Sequence, residues 1–199
     1  MAATPDQARS NLAHLYRRAG FGATSAELDA AVTAGYPATV ESLLAGLTGP
    51  DPGGDAVALP DLTIPQVPAG LNANTAGTPA AKAAVQQRNQ IANQQVPALQ
   101  RWWLNRMIAT STPLREKLVL LWHGHFATAV QKVRFPQLMY NQNQLFRTAG
   151  SGNFETLTQA VAKDPAMMIW LDTQTDVASH PNENFARELM ELFTLGIGN

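Results

Sequence analysis

The chain has 199 residues, 45% hydrophobic and only 15% charged, with no cysteine and a formal net charge of −1. That length is enough for one sizeable core or two small ones, and the apolar fraction excludes a disordered chain. Lack of cysteine excludes disulfides, thiolate catalysis and cysteine–zinc sites, the near-neutral charge argues against nucleic acid held on a basic surface, and no apolar run reaches the ~20 residues of a membrane span.

The apolar spacing is helical throughout and predicts an all-α protein, an irregular multi-helix bundle with a long Pro/Gly-rich loop. Met1-Ala-Ala-Thr-Pro5 lacks a basic region followed by an apolar stretch, so no secretion signal is read there and the cytoplasm is the default location. Residues 6–19 place Leu12, Leu15, Tyr16 and Ala19 on one face before Gly20 and Gly22. Thr24-Ser-Ala-Glu27 reads as a capping box opening a helix to Gly35, and Pro37 begins another through Val40, Leu43, Leu44 and Leu47. Residues 48–79, rich in proline and glycine and poor in large side chains, predict an irregular excursion without a core of its own. The stretch from Pro79 to about Thr110 is expected to carry its packing in the half with Leu99, Trp102, Trp103 and Met107, with a break or kink at Pro97. Thr112-Pro113 starts a helix with the stripe Leu114, Leu118 and Leu121, and Pro136 one with Leu138, Met139, Leu145 and Phe146. Asn153 caps the next, Asp164-Pro165 restarts the chain, and a helix over about 182–195 is expected to bury Phe185, Leu189, Leu192 and Phe193. The chain thus divides into N-terminal helices (1–47), the loop (48–79) and a helical core (80–199), one domain overall.

Residues 100–150 hold seven Lys/Arg against the single acid Glu116, whereas 151–199 hold seven Asp/Glu against Lys163 and Arg187. The two segments are therefore expected to neutralise each other, either by packing together or by lining opposite walls of a cleft.

Trp122-His-Gly-His-Phe126 is the densest chemical cluster. In an intact helix His123 and His125 point about 200° apart, His125 following the 114/118/121 stripe and His123 lying near Glu116 and Leu120. One divalent metal could engage both only if Gly124 ends the helix, with Glu183, Glu188 or Asp172 completing the ligands and Glu183 the first choice; the alternative is a pair of hydrogen-bonded core histidines. In the second cluster, Pro181 to Glu191, Asn182 reads as the N-cap and Glu183, Arg187 and Glu191 as a self-paired row. Asn184 and Glu188 then lie on the neighbouring row. Gln142 falls on the stripe of Phe135, Met139 and Phe146, so its amide needs a partner across the helix interface or in a ligand. An active site drawn from these residues has His123, His125, Glu188 and Arg187 as its catalytic groups and Gln142, Asn143, Asn182 and Asn184 as substrate contacts. Its histidine turn is expected to face the Asn182–Glu188 helix start across a polar pocket.

His14-Leu-Tyr-Arg-Arg-Ala-Gly-Phe-Gly22, Pro113 to Leu118, Trp122 to Phe126 and Pro181 to Gly196 together resemble domain-of-unknown-function family 1800, and Gly152-Asn153-Phe154, Asp164 to Met167 and Leu171-Asp172 follow its pattern in order. The resemblance covers nearly the whole chain outside the loop. It implies a bacterial, largely helical protein and no particular reaction. Members often carry an export signal and continue past Leu195-Gly196, so the chain is expected to correspond to the N-terminal portion of a full member. Its partner would be the missing C-terminal region, another protein chain or a second copy, with apolar surface exposed near Leu189, Leu192 and Phe193. Two function classes follow: a hydrolase-like enzyme with a His/Glu/Arg site, with or without a metal, and a non-catalytic helical interaction module.

Overall fold

The computed structural model describes residues 4–65 and 77–196. Among them are eleven α-helices and no strand, so the protein is all-α; the one β-like feature is an isolated bridge between Val177 and His180. The helices are α1 (Pro5–Ala19), α2 (Ser25–Ala34), α3 (Tyr36–Ala45), α4 (Pro52–Asp55), α5 (Pro79–Ala109) and α6 (Pro113–His125). They continue with α7 (Val130–Val133), α8 (Pro136–Ala149), α9 (Phe154–Ala162), α10 (Pro165–Trp170) and α11 (Asn184–Glu188), which runs on as a π-helical segment, Leu189–Thr194.

Local chemistry explains most of the boundaries. Thr4 accepts from the Gln7 N–H at the start of α1, and the Thr24/Glu27 capping box is complete. Gly35 links α2 to α3 with a φ of 88°, a left-handed value that only glycine takes without strain. Asn153 accepts from Thr156 N–H and Asp164 from Met167 N–H, each satisfying a donor orphaned at a helix start.

Three expectations need correction. α5 runs unbroken from Pro79 to Ala109 with Pro97 inside it, and its first half does carry a packed face, of the small or narrow residues Ala81, Val85, Ala92 and Gln95. A proline removes one N–H donor, but a 31-residue helix packed against α4 and α8 keeps its other bonds and passes through. In α6 the face turned inward is Glu116, Val119 and His123, leading to Phe126, whereas Leu121 is 54% exposed and Leu114 and Leu118 line only a shallow groove beside Arg17 and Arg18. In the last helix Phe193 is buried but Leu192 is 56% exposed, and the helix starts at Asn184 rather than Asn182. The wider π turn sets this register.

Within the 48–79 stretch, residues 51–65 differ from an open excursion: Asp51 caps α4, and Asp51 and Leu62 are buried. The part of that expectation concerning 66–76 lies outside the described residues. The main core gathers Val119, Phe126, Phe146, Leu157, Val161, Met167, Leu171 and Phe193 from α6 through the π-helical segment.

Candidate functional site

At ~25 cal/mol per Å² of apolar surface, a core of aromatic and branched side chains holds α6, α8, α9 and α10 together, and polar groups can be buried inside it only if they are paired. Glu116 is fully buried on the inner face of α6. Arg106 from α5 and Arg147 from α8 both donate through Nε to its Oε1, at 2.9 and 2.6 Å. Arg147 Nη2 and Trp103 Nε1 donate to Oε2 at 2.9 and 3.2 Å. Burial alone would raise the Glu116 carboxyl; the hydrogen bonds and charges of Arg147 and Arg106 overcome it and hold the group below its ordinary value. Arg106 reaches further, to the Gly54 carbonyl, to buried Asp51 and to Asp55 on the surface. Burial also opposes the Asp51 charge, but the Ser111 and Gly54 N–H groups and the Thr110 and Ser111 hydroxyls keep that carboxyl low. Any side chain at Gly54 would occupy the place of the Asp51 carboxylate and crowd the Arg106 guanidinium, so glycine is required there by close approach.

The network forms the floor of a cleft of about 640 Å³ bounded by Arg106, Arg115, Arg147, Trp102, Tyr140 and Gln144, among others. Asp51, Glu116 and Arg147 are not among the site residues expected from the sequence, although Glu116 is noted there as the single acid of its segment. One signal was available, since Asp51-Pro52 repeats the cap-then-proline pattern of Asp164-Pro165.

The predicted site residues are partly gathered. His123 packs between Trp103 and Phe146, with ring centroids 4.7 and 4.8 Å away, and its Nε2 accepts from Asn143 Nδ2 at 3.2 Å. Burial, and secondly the Arg147 charge, lower its pKa to about 4, so the ring is neutral near pH 7. Asn143 Oδ1 is buried without a partner. His125 turns to other neighbours: its Nε2–H donates to the Phe193 carbonyl at 2.9 Å. A carbonyl only accepts, so the proton sits on Nε2 and Nδ1 keeps a lone pair in the neutral ring. Phe193 lies in the last turn of its helix, where carbonyls lack intrahelical donors.

His125 and Glu188 line a second cleft, of about 580 Å³, with Lys132, Trp170, Leu171, Leu192 and Phe193. Lys132 Nζ donates to the Trp170 carbonyl and pairs with Asp172 at 2.8 Å. That pair is the single salt bridge among the described residues joining the basic 100–150 segment to the acidic one that follows; the buried arginines instead meet Glu116 and the loop carboxylates Asp51 and Asp55. Apart from Lys132 and Asp172, the two segments therefore do not neutralise each other by ion pairs among the described residues, contrary to the expectation from their charge.

Arg187 is exposed and donates to Asn184 Oδ1, and no ion pair joins it to Glu183 or Glu191. Glu183 occupies the N-cap position without a side-chain cap bond. Asn182 and Asn184 both donate through Nδ2 to the Leu171 carbonyl, and Asn182 Oδ1 accepts from Asn184 N–H, which ties the start of α11 to the end of α10. Gln142 is fully buried, accepting from the Thr128 hydroxyl and donating to Asp164 Oδ2. Burial raises the Asp164 carboxyl above its ordinary value in spite of that donor and the Met167 N–H. Among the described residues no three His, Asp or Glu side chains are grouped to hold a metal ion, and the trio His123, His125 and Glu183 is not gathered at one point.

The described residues form an all-helical fold with two separately built clefts, one polar and one mostly apolar. The family model for a protein of unknown function, DUF1800, matches residues 14–199, and the chain belongs to that family. Comparison with curated proteins and with solved structures gave no match. No helix among the described residues is long and apolar enough to cross a membrane.

Proposed function

We propose that the chain is a non-catalytic helical binding module whose cleft between α6, α7, α10 and α11 receives a small, largely apolar group from a partner. The observation that supports this reading most is that His125 and Lys132 are already engaged, which leaves Glu188 as the one ionisable group of the cleft with no side-chain bond among the described residues. His125 anchors the Phe193 carbonyl, Lys132 holds Trp170 and Asp172, and among the described residues no hydroxyl-bearing side chain lines the wall. The rest of the lining is mostly hydrocarbon: Trp170 and Leu192, with the buried Leu171 and Phe193 behind them, beside the exposed Met190 and Leu195. Such apolar concavities with a few polar groups are the usual shape of binding sites. An environment-sensitive naphthalene sulfonate dye should bind the folded protein in this cleft, and Leu192→Glu should weaken it about tenfold with the helical signal unchanged. Dye binding that is unaffected by Leu192→Glu overturns the reading.

A second reading, general-base hydrolysis with water as nucleophile, is supported by one observation: His125 keeps Nδ1 as an acceptor in the cleft that Glu188 also lines. It calls for a panel of ester, amide and phosphoester substrates with His125→Ala as the comparison. Turnover that falls by about 10²-fold or more in this variant would put hydrolysis first.

A further inference from the structure

The other cleft, over the Glu116 network, is polar, and its cations are unequally neutralised. Arg106 and Arg147 are 5% and 7% exposed, and each is fixed through Nε to Glu116. Arg147 is further braced by Gln144 Oε1 and lies over the Trp102 ring, with its guanidinium carbon 5.8 Å from the ring centre. One N–H on each of its terminal nitrogens is left without an acceptor among the described residues. Arg115 contributes more: its Nε and Nη2 donate to the Gly46 and Gly49 carbonyls beyond the end of α3, and it has no carboxylate partner among the described residues. Its Nη1 makes no hydrogen bond among the described residues. Tyr140 and Ser151 line the same cleft, and their hydroxyls make no hydrogen bond among the described residues.

We infer that this cleft is a binding site for a phosphate monoester carried on a hydroxyl-bearing body, such as a sugar phosphate. Guanidinium forks suit tetrahedral oxyanions because each presents paired N–H groups in a fixed plane, and charge-assisted bonds of this kind are about twice as strong as neutral ones. The groups are held in place before a ligand arrives, since Glu116, Gln144 and two backbone carbonyls already restrict the three arginines. Little ordering entropy is then lost on binding. The phosphoryl group meets Arg115 Nη1 and the free N–H groups of Arg147, while Tyr140 and Ser151 take up hydroxyls of the body. A cleft of about 640 Å³ has room for a ligand of this size. Asp55, paired with Arg106 and largely exposed, opposes the ligand's charge from the rim.

The test is calorimetric titration of the full chain at fixed ionic strength with inorganic phosphate, glucose 6-phosphate, glucose and citrate. Glucose 6-phosphate should bind more tightly than phosphate, and glucose should not bind. Arg115→Gln should weaken glucose 6-phosphate at least about tenfold, the loss expected for one charged hydrogen-bonding partner, and Asp55→Asn should strengthen it. Because Arg115 also holds Gly46 and Gly49, a thermal melt checks that the variant is folded. Tyr140→Phe, which removes no bond of the fold, should independently weaken glucose 6-phosphate relative to phosphate. Failure of both phosphates to bind overturns the proposal, as does citrate binding more tightly than either. A folded Arg115→Gln that binds normally overturns it too, and so does an equal loss in Glu191→Gln, a remote charge change.

Discussion

The Glu116 cleft and the His125–Glu188 cleft are similar in size and opposite in construction. Around Glu116 the charges are buried, each carboxylate oxygen is matched to donors, and the partners come from α4, α5, α6 and α8. Around His125 the polar groups sit at the margin, and most of their bonds go to backbone carbonyls: Phe193 for His125, Trp170 for Lys132, Leu171 for Asn182 and Asn184. The first arrangement ties distant segments of the chain together through charge. The second fastens one C-terminal segment, which adds Phe193 to the buried core, onto α6 and α10. A charged cluster in a helical protein can therefore belong to the scaffold, and burial rather than residue type separates the two cases.

The largest effect expected from breaking the comparison is at Glu116. Glu116→Gln leaves Arg106 and Arg147 facing each other without their shared anion, and should cost about 3–5 kcal/mol in urea unfolding. The matching change in the other cleft, Glu188→Gln, should stay within about 0.5 kcal/mol, since no hydrogen bond or ion pair of its side chain is seen among the described residues. Equal losses at the two positions would erase the distinction.

Next in size is a pH effect carried by His123. Its folded pKa of about 4 lies below the ordinary 6.5, so the buried neutral ring contributes stability that is complete above 6.5 and is lost as pH falls toward 4. The shift corresponds to roughly 3 kcal/mol. Glu116 and Asp51, also lowered, lose their contribution at more acid pH, below their ordinary values of 4.5 and 3.8. His123→Phe should therefore flatten the stability profile between pH 6.5 and 4 and leave the acid limb in place. A profile unchanged in that window would show that His123 is not buried as a neutral group.

How much of this was legible in the sequence depended on distance along the chain. Caps at Thr24, Asn153 and Asp164 were readable because the capping residue and the helix it caps lie within four positions. The inward face of α6 was misread because three leucines at helical spacing outweigh a glutamate in any hydrophobic count. Glu116 belongs inside only in the company of Arg106 and Arg147, which lie 10 and 31 residues away. Asp51 was hidden by the prolines and glycines around it, the very residues that let α4 approach α5 closely. In the candidate site, the sequence suggests a polar pocket between the His123–His125 turn and the start of α11; His125 and Glu188 do line one cleft, but its wall is mostly apolar, and periodicity could not show that His123, two positions from His125, would turn to Asn143 and the arginine network instead.

A smaller effect should follow from His125→Ala, at about 1–2 kcal/mol, because it removes one hydrogen bond and the edge contact with the Phe126 ring. Amide exchange within Asn184–Thr194 should speed up more than exchange in α6 or α8. Uniform acceleration would mean that the segment opens only together with α6 and α8 rather than by itself.

The smallest expected effect is at Leu192. Its side chain lines the second cleft yet remains 56% exposed, next to Met190 at 53% and Leu195 at 60%. In a monomer, Leu192→Gln removes little buried surface and should change stability by no more than about 0.5 kcal/mol. The measurement gains its meaning from protein concentration. If a second copy covers this face, wild-type stability rises with concentration by mass action while that of Leu192→Gln does not, so the two curves separate as the protein is concentrated. If the face is open to a different partner, wild type and variant stay parallel at every concentration, and sedimentation shows one monomeric species for both. Parallel curves together with loss of dye binding in Leu192→Glu would place the binding surface on this segment and leave the Glu116 network as scaffold beneath a cleft of its own.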